Sequence, residues 1–304
     1  MAFNKNTSRK GQSNFIPKKQ KSVKKELEEK QKKRAKPTEK VKEKSRFKKK
    51  PATKKTAKPK PTTEAEIIGM RLNKFVARAG ICSRRQAADY VKAGLVKVNE
   101  EVEKNPAYQI QHGDIVFYKD KPIRPQMKKV YLLMNKPKNT ITTLSDDRGR
   151  KTVMDLVAGK VEERIFPVGR LDRATTGLLL LTNDGDLAKK LSHPSHGIRK
   201  VYHVTTDKPV IKADLAKIRA GLKLEDGEVF VDAVNYVQNS PRNEVGIIVH
   251  VGRNRIVRRI FEHLGYEVKK LDRTAYGTLT KKDLPRGFFR DLTEQEVITL
   301  KHLG

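Results

Sequence analysis

FPVGRLDRATTGLLLLTNDGDLA, residues 166–188, is the stretch that decides the fold. Its run of four leucines indicates a buried strand over residues 177–182. Before the strand, a loop that starts at Gly169 presents Arg170 and Asp172. A carboxylate beside basic residues at the end of a buried strand is well placed to be ionised and held in one orientation. Ordinary turn chemistry accounts for the same residues, and taken alone they favour that simpler interpretation.

Strands and helices are intermixed around this stretch without a regular βαβ repeat, which predicts an α+β domain with a mixed sheet. The patterning predicts strands at 130–134, 177–182, 200–206 and 245–251, and helices at 186–192 and 254–264. In the second helix the predicted buried stripe consists of Ile256, Val257, Ile260, Phe261 and Leu264. Thr293 and Glu296 have the spacing of a capping box and predict the start of a last helix.

A small module at residues 70–118 precedes that domain. Leu72, Phe75, Val76 and Ala79 fall on one helical face, and Gly80 stops the helix. Ser83 and Gln86 predict the capping box of a second helix, and short strands follow near 96–98 and 114–118. Six cations lie outside the apolar stripes: Arg71, Lys74, Arg78, Arg84, Arg85 and Lys92. They suit a surface that follows phosphates, although charge alone equally allows a solvated helix pair.

The charge balance points to a polyanionic partner. The net charge is +33, of which residues 1–63 carry +19, from 24 Lys or Arg and 5 Asp or Glu, so +14 remains for the rest. A surplus of that size is typical of proteins that bind nucleic acid. Residues 1–65 hold too few apolar residues to form a core, which predicts a disordered tail that serves either as an RNA anchor or as a solubilising segment.

The cysteine content and the hydropathy of the chain indicate its cellular compartment. Cys82 is the one cysteine of the chain, so no intrachain disulfide can form. No apolar run approaches the roughly 18 residues of a membrane span, and the N-terminus lacks a signal-peptide core. We therefore expect a cytoplasmic protein without a membrane partner. Residues 119–127, with two prolines and many charges, are predicted to link the small module to a domain at 128–304.

Two resemblances sharpen these expectations. The S-R-R-Q-A turn and the G-L-V-x-V-N strand, within residues 70–118, are similar to the αL-type RNA-binding domain of a small-subunit ribosomal protein, tyrosyl-tRNA synthetases and several rRNA-modifying enzymes. Residues 166–188, with G-R-L-D, a following Thr and G-L-L-L-L-T-N-D-G, resemble the catalytic motif of the RsuA/RluB group of rRNA pseudouridine synthases. The overall pattern leans towards the enzymes that modify large-subunit rRNA.

The second resemblance implies a set of site residues. Asp172 is the implied nucleophile, and Arg170 is implied to occupy the place vacated by a flipped-out nucleotide. A K-x-Y motif matches Lys200 and Tyr202, and it implies that Tyr202 stacks on the target base. Arg258 is implied to pair with Asp172, although Ile256 stands where many relatives have Gln. We assign Arg255, like Arg253 and Arg259, to RNA phosphates or to the fold.

The implied reaction needs neither cofactor nor metal, because its product is an isomer of its substrate. His193 and His196 are predicted to be loop residues rather than zinc ligands. We expect ribosomal RNA as the partner and a monomeric enzyme. Two alternatives remain open at this point: a ribosome-assembly factor that keeps the fold without catalysis, and a DNA-binding protein, which the charge allows although no DNA-reading motif is evident.

Overall fold

A computed structural model of the chain describes residues 67–126 and 128–303. The predicted tail, residues 1–65, lies outside the described residues. The described residues all fall within one compact unit, 58–304.

Two helices packed on a four-stranded antiparallel sheet form the N-terminal domain. Its elements are α1 (Leu72–Arg78), α2 (Arg84–Lys92), β1 (Val96–Val98), β2 (Glu101–Val102), β3 (Val116–Tyr118) and β4 (Lys121–Ile123), with strand order β2-β1-β3-β4. Leu72, Val76 and Val91 are fully buried in its core. The predicted capping box is confirmed, because the Ser83 hydroxyl accepts from the Gln86 amide while the Gln86 side chain accepts from the Ser83 amide.

The predicted linker, residues 119–127, contains more structure than its composition indicates. β4 pairs with β3 through Lys121 opposite Tyr118 and Ile123 opposite Val116. Pro122 is tolerated there because β4 is an edge strand, where a missing ladder donor costs little. The sheet of the N-terminal domain therefore extends into the predicted linker.

The second domain is built around a nine-stranded mixed sheet. Its elements in chain order are β5 (Tyr131–Lys136), β6 (Phe166–Pro167), β7 (Thr176–Thr182), α3 (Gly185–Ser192), β8 (Lys200–Thr206), α4 (Lys212–Ala220), β9 (Leu222–Leu224), β10 (Gly227–Val229), β11 (Ala233–Tyr236), β12 (Glu244–Val249), α5 (Ile256–His263), β13 (Val268–Tyr276), β14 (Leu279–Thr280), β15 (Phe289–Asp291) and α6 (Glu294–His302). The predicted α+β class is confirmed.

The order of the sheet brings distant segments together. Its path runs β11-β12-β8-β13-β7-β5-β15, with β6 added to β7 and β14 added to β13, while β9 and β10 form a separate hairpin. β13 pairs with β7 in parallel and with β8 antiparallel, so the sheet is mixed. All seven residues of β7 are buried. No helix of the described residues is both long enough and apolar enough to span a membrane.

A glycine permits the close approach of the two central strands. Gly177 has φ of 110°, and a Cβ atom there would lie 2.3 Å from the backbone oxygen of Arg273 on β13. A side chain at this position would force β7 and β13 apart. This pairing places the loop before β7 against β13 and β8.

Candidate active site

The loop between β6 and β7, residues 168–175, presents Asp172. It lies at the edge of a central cleft, whose walls come from this loop, from β8 and β13, and from the segment that leads into α5. Asp172 is half-buried and supplies the one carboxylate among the described residues that line the cleft. Thr175 and Ser192 also line the cleft, and the rest of its polar lining is basic or aromatic: Arg170, Lys200, Tyr202, Arg253, Arg255, Arg273 and Tyr276.

A buried lysine fixes the backbone of this loop. Lys136, at the end of β5, is fully buried, and its Nζ donates to the carbonyl oxygens of Thr175 at 2.8 Å and of Asp172 and Pro137 at 3.1 Å. Burial lowers the pKa of Lys136 to about 8, and the nearby charge of Asp172 partly offsets that effect. The ammonium group therefore gathers several carbonyls around one point and limits the positions that Asp172 can take.

The side chain of Thr142 and a backbone hydrogen bond also hold the loop around Asp172. The hydroxyl of Thr142 donates to the carbonyl of Leu171 at 2.9 Å, and the amide of Leu171 lies 3.3 Å from the same hydroxyl oxygen. The Thr175 amide donates to the carbonyl of Asp172 at 3.0 Å. The backbone on both sides of Asp172 is thus tied down, which is the preorganisation that a reacting carboxylate needs.

Lys200 and Tyr202 lie on β8 and face the central cleft together, as the two-residue spacing predicts. The Nζ of Lys200 donates to the carbonyl of His250 at 2.6 Å. Burial, with a smaller contribution from the positive charge of Arg273, lowers the pKa of Lys200 to about 8. Tyr202 is half-buried and lines the cleft.

Arg258 does not form the ion pair with Asp172 that the resemblance implies. Arg258 is buried on α5, and its Nη1 donates to the carbonyl of Val268 at 2.7 Å. Between these two described residues there is no ion pair within 4.0 Å. Burial and Arg255 lower the pKa of Arg258, whereas the charge of Asp172 raises it. The guanidinium of Arg258 is therefore held by a carbonyl oxygen of β13 rather than by the Asp172 carboxylate.

The other arginines near α5 divide between cleft and fold. Arg255 is exposed, adopts a left-handed conformation with φ of 47° before α5, and lies 3.2 Å from Glu262. Arg259 forms two hydrogen bonds with the Asp226 carboxylate, at 2.7 and 2.8 Å. Arg253 lies 3.5 Å from the same carboxylate. Asp226 thus ties the turn of the β9–β10 hairpin to the rim of the cleft.

A second cavity, the interdomain groove, lies between the N-terminal domain and the β6–β7 loop. It encloses about 770 Å³. Seven basic residues line it, namely Lys74, Arg78, Arg84, Lys129, Arg164, Arg170 and Lys189. Arg170 also lines the central cleft, so the two cavities adjoin at this residue. The groove is therefore a cationic surface that borders the loop carrying Asp172.

The predicted cations of the N-terminal domain divide between this groove and the outer surface. Lys74 pairs with Asp186 of α3 at 2.8 Å, and Arg78 lies 3.8 Å from the same carboxylate. Arg84 is exposed at the groove, whereas Arg71 and Arg85 are exposed outside it. Their place outside the apolar stripe suggests that Lys74 and Arg78 face open solvent. In the structure they face the second domain instead.

The two histidines after α3 take part in local structure. His193 contacts the hydroxyl of Ser195 through Nδ1 at 2.7 Å, and residues 194–196 form one 3₁₀ turn. Within the part of the chain that the structure describes, no group of three or more His, Cys, Asp or Glu side chains could hold a metal ion.

Sequence reasoning misses two residues of the site, Lys136 and Arg273. Arg273 is buried on β13, and its Nη1 lies 3.5 Å from the hydroxyl of Tyr202. The sequence carries a signal that Lys136 is buried, because this lysine ends an apolar strand and directly precedes a proline, whereas exposed lysines are usually found among polar residues. Arg273 gives a weaker signal, since β13 has charges at several positions.

Comparison with known proteins agrees with this geometry. A family profile described as RNA pseudouridylate synthase matches residues 130–263, and one described as S4 domain matches residues 70–116. The chain is 39% identical over 237 residues to the ribosomal large subunit pseudouridine synthase B of Bacillus subtilis (strain 168), which covers 77% of this chain and 96% of that protein.

Two further relatives extend the comparison. The dual-specificity RNA pseudouridine synthase RluF of Escherichia coli (strain K12) is 35% identical over 243 residues, or 76% of this chain and 78% of that protein. A crystal structure of a pseudouridylate synthase superposes with a TM-score of 0.55 at 28% identity, covering 76% of this chain and 99% of that one.

Proposed function

The chain belongs to the RNA pseudouridylate synthase family, and from that premise we propose that it converts a specific uridine of large-subunit ribosomal RNA into pseudouridine. The observation that carries the proposal is the position of Asp172, on a loop tied down by Lys136 and Thr142 and beside Tyr202 in a cationic cleft. The choice of the large subunit is supported by the name of the Bacillus subtilis relative. We propose that the enzyme acts as a monomer in the cytoplasm.

The proposed reaction begins with Asp172 as the nucleophile. Its carboxylate attacks C1′ of the target ribose, the bond from C1′ to N1 breaks, and the electron pair leaves with the uracil. The free base turns, its C5 attacks C1′ and displaces the carboxylate, C5 loses a proton and N1 gains one. In the alternative glycal route the carboxylate removes the C2′ proton as the same bond from C1′ to N1 breaks. C5 then bonds to C1′, the proton returns to C2′, and C5 loses a proton while N1 gains one. Both routes conserve all atoms of the nucleotide.

The other cleft residues support this step. Tyr202 stacks on the base, and its phenol oxygen is placed to receive the proton that leaves C5. Arg258 keeps a positive charge near the Asp172 loop, and Lys200, a cation that lines the cleft, is assigned to a phosphate or sugar oxygen. The carbonyls gathered by Lys136 keep Asp172 in one position while the base turns.

Access to Asp172 requires that the nucleotide leave its helix. A base stacked in a helix cannot reach Asp172 in the cleft, so the target uridine is flipped out at a cost of a few kcal/mol. Arg170 lies where the central cleft meets the interdomain groove, and it is placed to fill the gap that the nucleotide leaves. Flanking phosphates then follow the groove past Lys74, Arg78 and Arg84, with Arg71, Arg85 and Arg255 as outer contacts.

The test is a map of pseudouridines in ribosomal RNA from cells with and without the gene. We expect one or a few large-subunit positions to lose pseudouridine in the deletion strain and to regain it with the wild-type gene. A gene encoding Asp172→Asn is the matched control, because the same RNA-binding surfaces are then present without the nucleophile. Identical maps in all strains would overturn the proposed function.

A further inference from the structure

Arg273 is a buried cation that lines the central cleft, and the reaction proposed above gives it no role. Only 3% of its surface is exposed. Its Nε donates to the carbonyl of Leu178 at 2.7 Å, and its guanidinium lies 4.7 Å from the ring centre of Tyr276. These two contacts hold the guanidinium plane in place, so that its terminal nitrogens cannot move far.

The terminal nitrogens of Arg273 are poorly satisfied. Nη1 has a long contact of 3.5 Å with the hydroxyl of Tyr202, and Nη2 is buried without a hydrogen-bond partner. Among the described residues no carboxylate lies within 4.0 Å of this guanidinium. A buried charge without a partner costs several kcal/mol unless another group compensates for it. The arrangement is therefore costly for the fold alone.

The place of Arg273 in the cleft indicates which ligand group would compensate. Arg170, Arg253 and Arg255 are exposed at the rim, where phosphates can reach them without being stripped of water. Arg273 lies instead beside Tyr202, and its strand pairs with Tyr202 on one side and with Gly177, close after the Asp172 loop, on the other. The base is the group that meets Arg273, because Tyr202, assigned above to stacking on the base, is its direct neighbour.

We propose that Arg273 is a further catalytic residue, which stabilises the negative charge of the uracil as it leaves C1′. This inference rests on the proposed function. When the bond from C1′ to N1 breaks, its electron pair stays on the base, and the charge spreads over N1 and the carbonyl oxygens. A fixed donor in a site shielded from water is most effective where charge develops in the transition state. The role is independent of whether Asp172 attacks C1′ or removes a sugar proton.

The first experiment compares wild type and Arg273→Met on one rRNA fragment that contains the target uridine. We expect the single-turnover rate to fall about 10²-fold, as when one donor to a developing anion is removed. The RNA dissociation constant should stay within about threefold, because no phosphate contact is lost. Arg219→Met is the matched control, since Arg219 also donates to a backbone carbonyl, of Val234, but lies outside the cleft. Equal rates for wild type and Arg273→Met would overturn the inference.

The second experiment separates a catalytic role from a structural one. Replacing the target uridine by 5-fluorouridine makes the departing base more acidic, so its anion needs less stabilisation. We expect the Arg273→Met penalty on cleavage of the bond from C1′ to N1 to be about tenfold smaller on the fluorinated RNA. A purely structural defect would give the same penalty on both RNAs and would overturn the inference. If Arg273→Met does not fold, Arg273→Lys is compared on the two RNAs in the same way.

These experiments also separate two kinds of failure. If wild-type enzyme forms no pseudouridine in any ribosomal RNA, the proposed function fails and Arg273 is not at issue. If wild type is active and the Arg273→Met penalty is absent or insensitive to fluorine, only the role of Arg273 fails.

Discussion

The central cleft and the interdomain groove are both rich in positive charge, but they hold it in different ways. In and behind the cleft, Lys136, Lys200, Arg258 and Arg273 are buried, and each donates to at least one backbone carbonyl. Around the groove, Lys74 and Arg78 are partly exposed and meet one carboxylate, that of Asp186. Buried cations held by carbonyls keep a fixed geometry, whereas exposed cations are screened by salt and exchange partners easily. We infer that the cleft sets the reaction rate and that the groove sets the affinity for RNA.

The largest expected effect tests the cleft. Asp172→Asn should lower the single-turnover rate by about 10⁴-fold or more, because the nucleophile is lost. The RNA dissociation constant should stay within about threefold, since the groove is untouched. Rates are measured on an rRNA fragment, and binding is measured by filter retention. An active Asp172→Asn enzyme would show that the cleft does not set the reaction rate.

A smaller loss is expected when the support of the loop is removed. Lys136→Met leaves several carbonyls of the Asp172 loop without their donor, so the carboxylate loses its fixed position. The rate should fall about 10²-fold, which is the cost of a misplacement of about 1 Å. The melting temperature should fall as well, because unsatisfied buried carbonyls destabilise the fold.

Lys138→Met is the matched control for Lys136→Met, since Lys138 lies two residues away and is exposed. It should leave both the rate and the melting temperature unchanged. If the two variants behave alike, the buried position of Lys136 has no special importance.

In the groove, loss of charge should change affinity alone. Lys74→Gln combined with Arg78→Gln should weaken RNA binding about tenfold at low salt and reduce the slope of log affinity against log salt by about 1.4, the value for two phosphate contacts on single-stranded RNA. The rate at saturating RNA should not change. Asp186→Asn is the opposing control and should strengthen binding by up to about fivefold, because it frees both cations from a surface ion pair. A reduced rate at saturation would show that the groove also affects catalysis.

The smallest effect concerns a residue of the cleft that is assigned to binding. The pKa of Lys200 is lowered from 10.5 to about 8, so it loses its proton between about pH 7 and 9 rather than near 10.5. RNA affinity should therefore fall as pH rises through this window, by about threefold for one cation. Lys200→Met should bind more weakly at pH 7 and should lack this decrease. A wild-type affinity that is constant from pH 7 to 9 would contradict the assignment of Lys200 to RNA.

The sequence predicts those parts of the site whose chemistry lies within one continuous motif. Asp172 and Arg170 share a loop, while Lys200 and Tyr202 share a strand whose predicted bounds, 200–206, are those of β8. Both capping boxes, at Ser83 and at Thr293, are confirmed because they depend on local hydrogen bonds alone.

What the sequence does not predict depends on pairing between distant segments. Lys136 gains its role because it pairs with Gly177, at the start of β7, so that its side chain meets the preceding loop. The sequence pattern does not predict β13, because two irregularities in its pairing with β8 interrupt the alternation of buried and exposed residues. The prediction that Arg258 pairs with Asp172 fails for a related reason, since Arg258 donates to a carbonyl of β13 instead.

The parallel pairing of β7 with β13 also bears on the time at which the protein becomes competent during its synthesis. Thr176 pairs with Asp272, and Gly177 pairs with Arg273, so the two strands meet only after almost the whole second domain has been translated. Until residue 276 leaves the ribosome, the Asp172 loop lacks the neighbour against which it is positioned. Pairings between such distant segments form slowly, since a long loop must close first. A nascent chain that ends before β13 therefore lacks the strand pairing that positions the Asp172 loop.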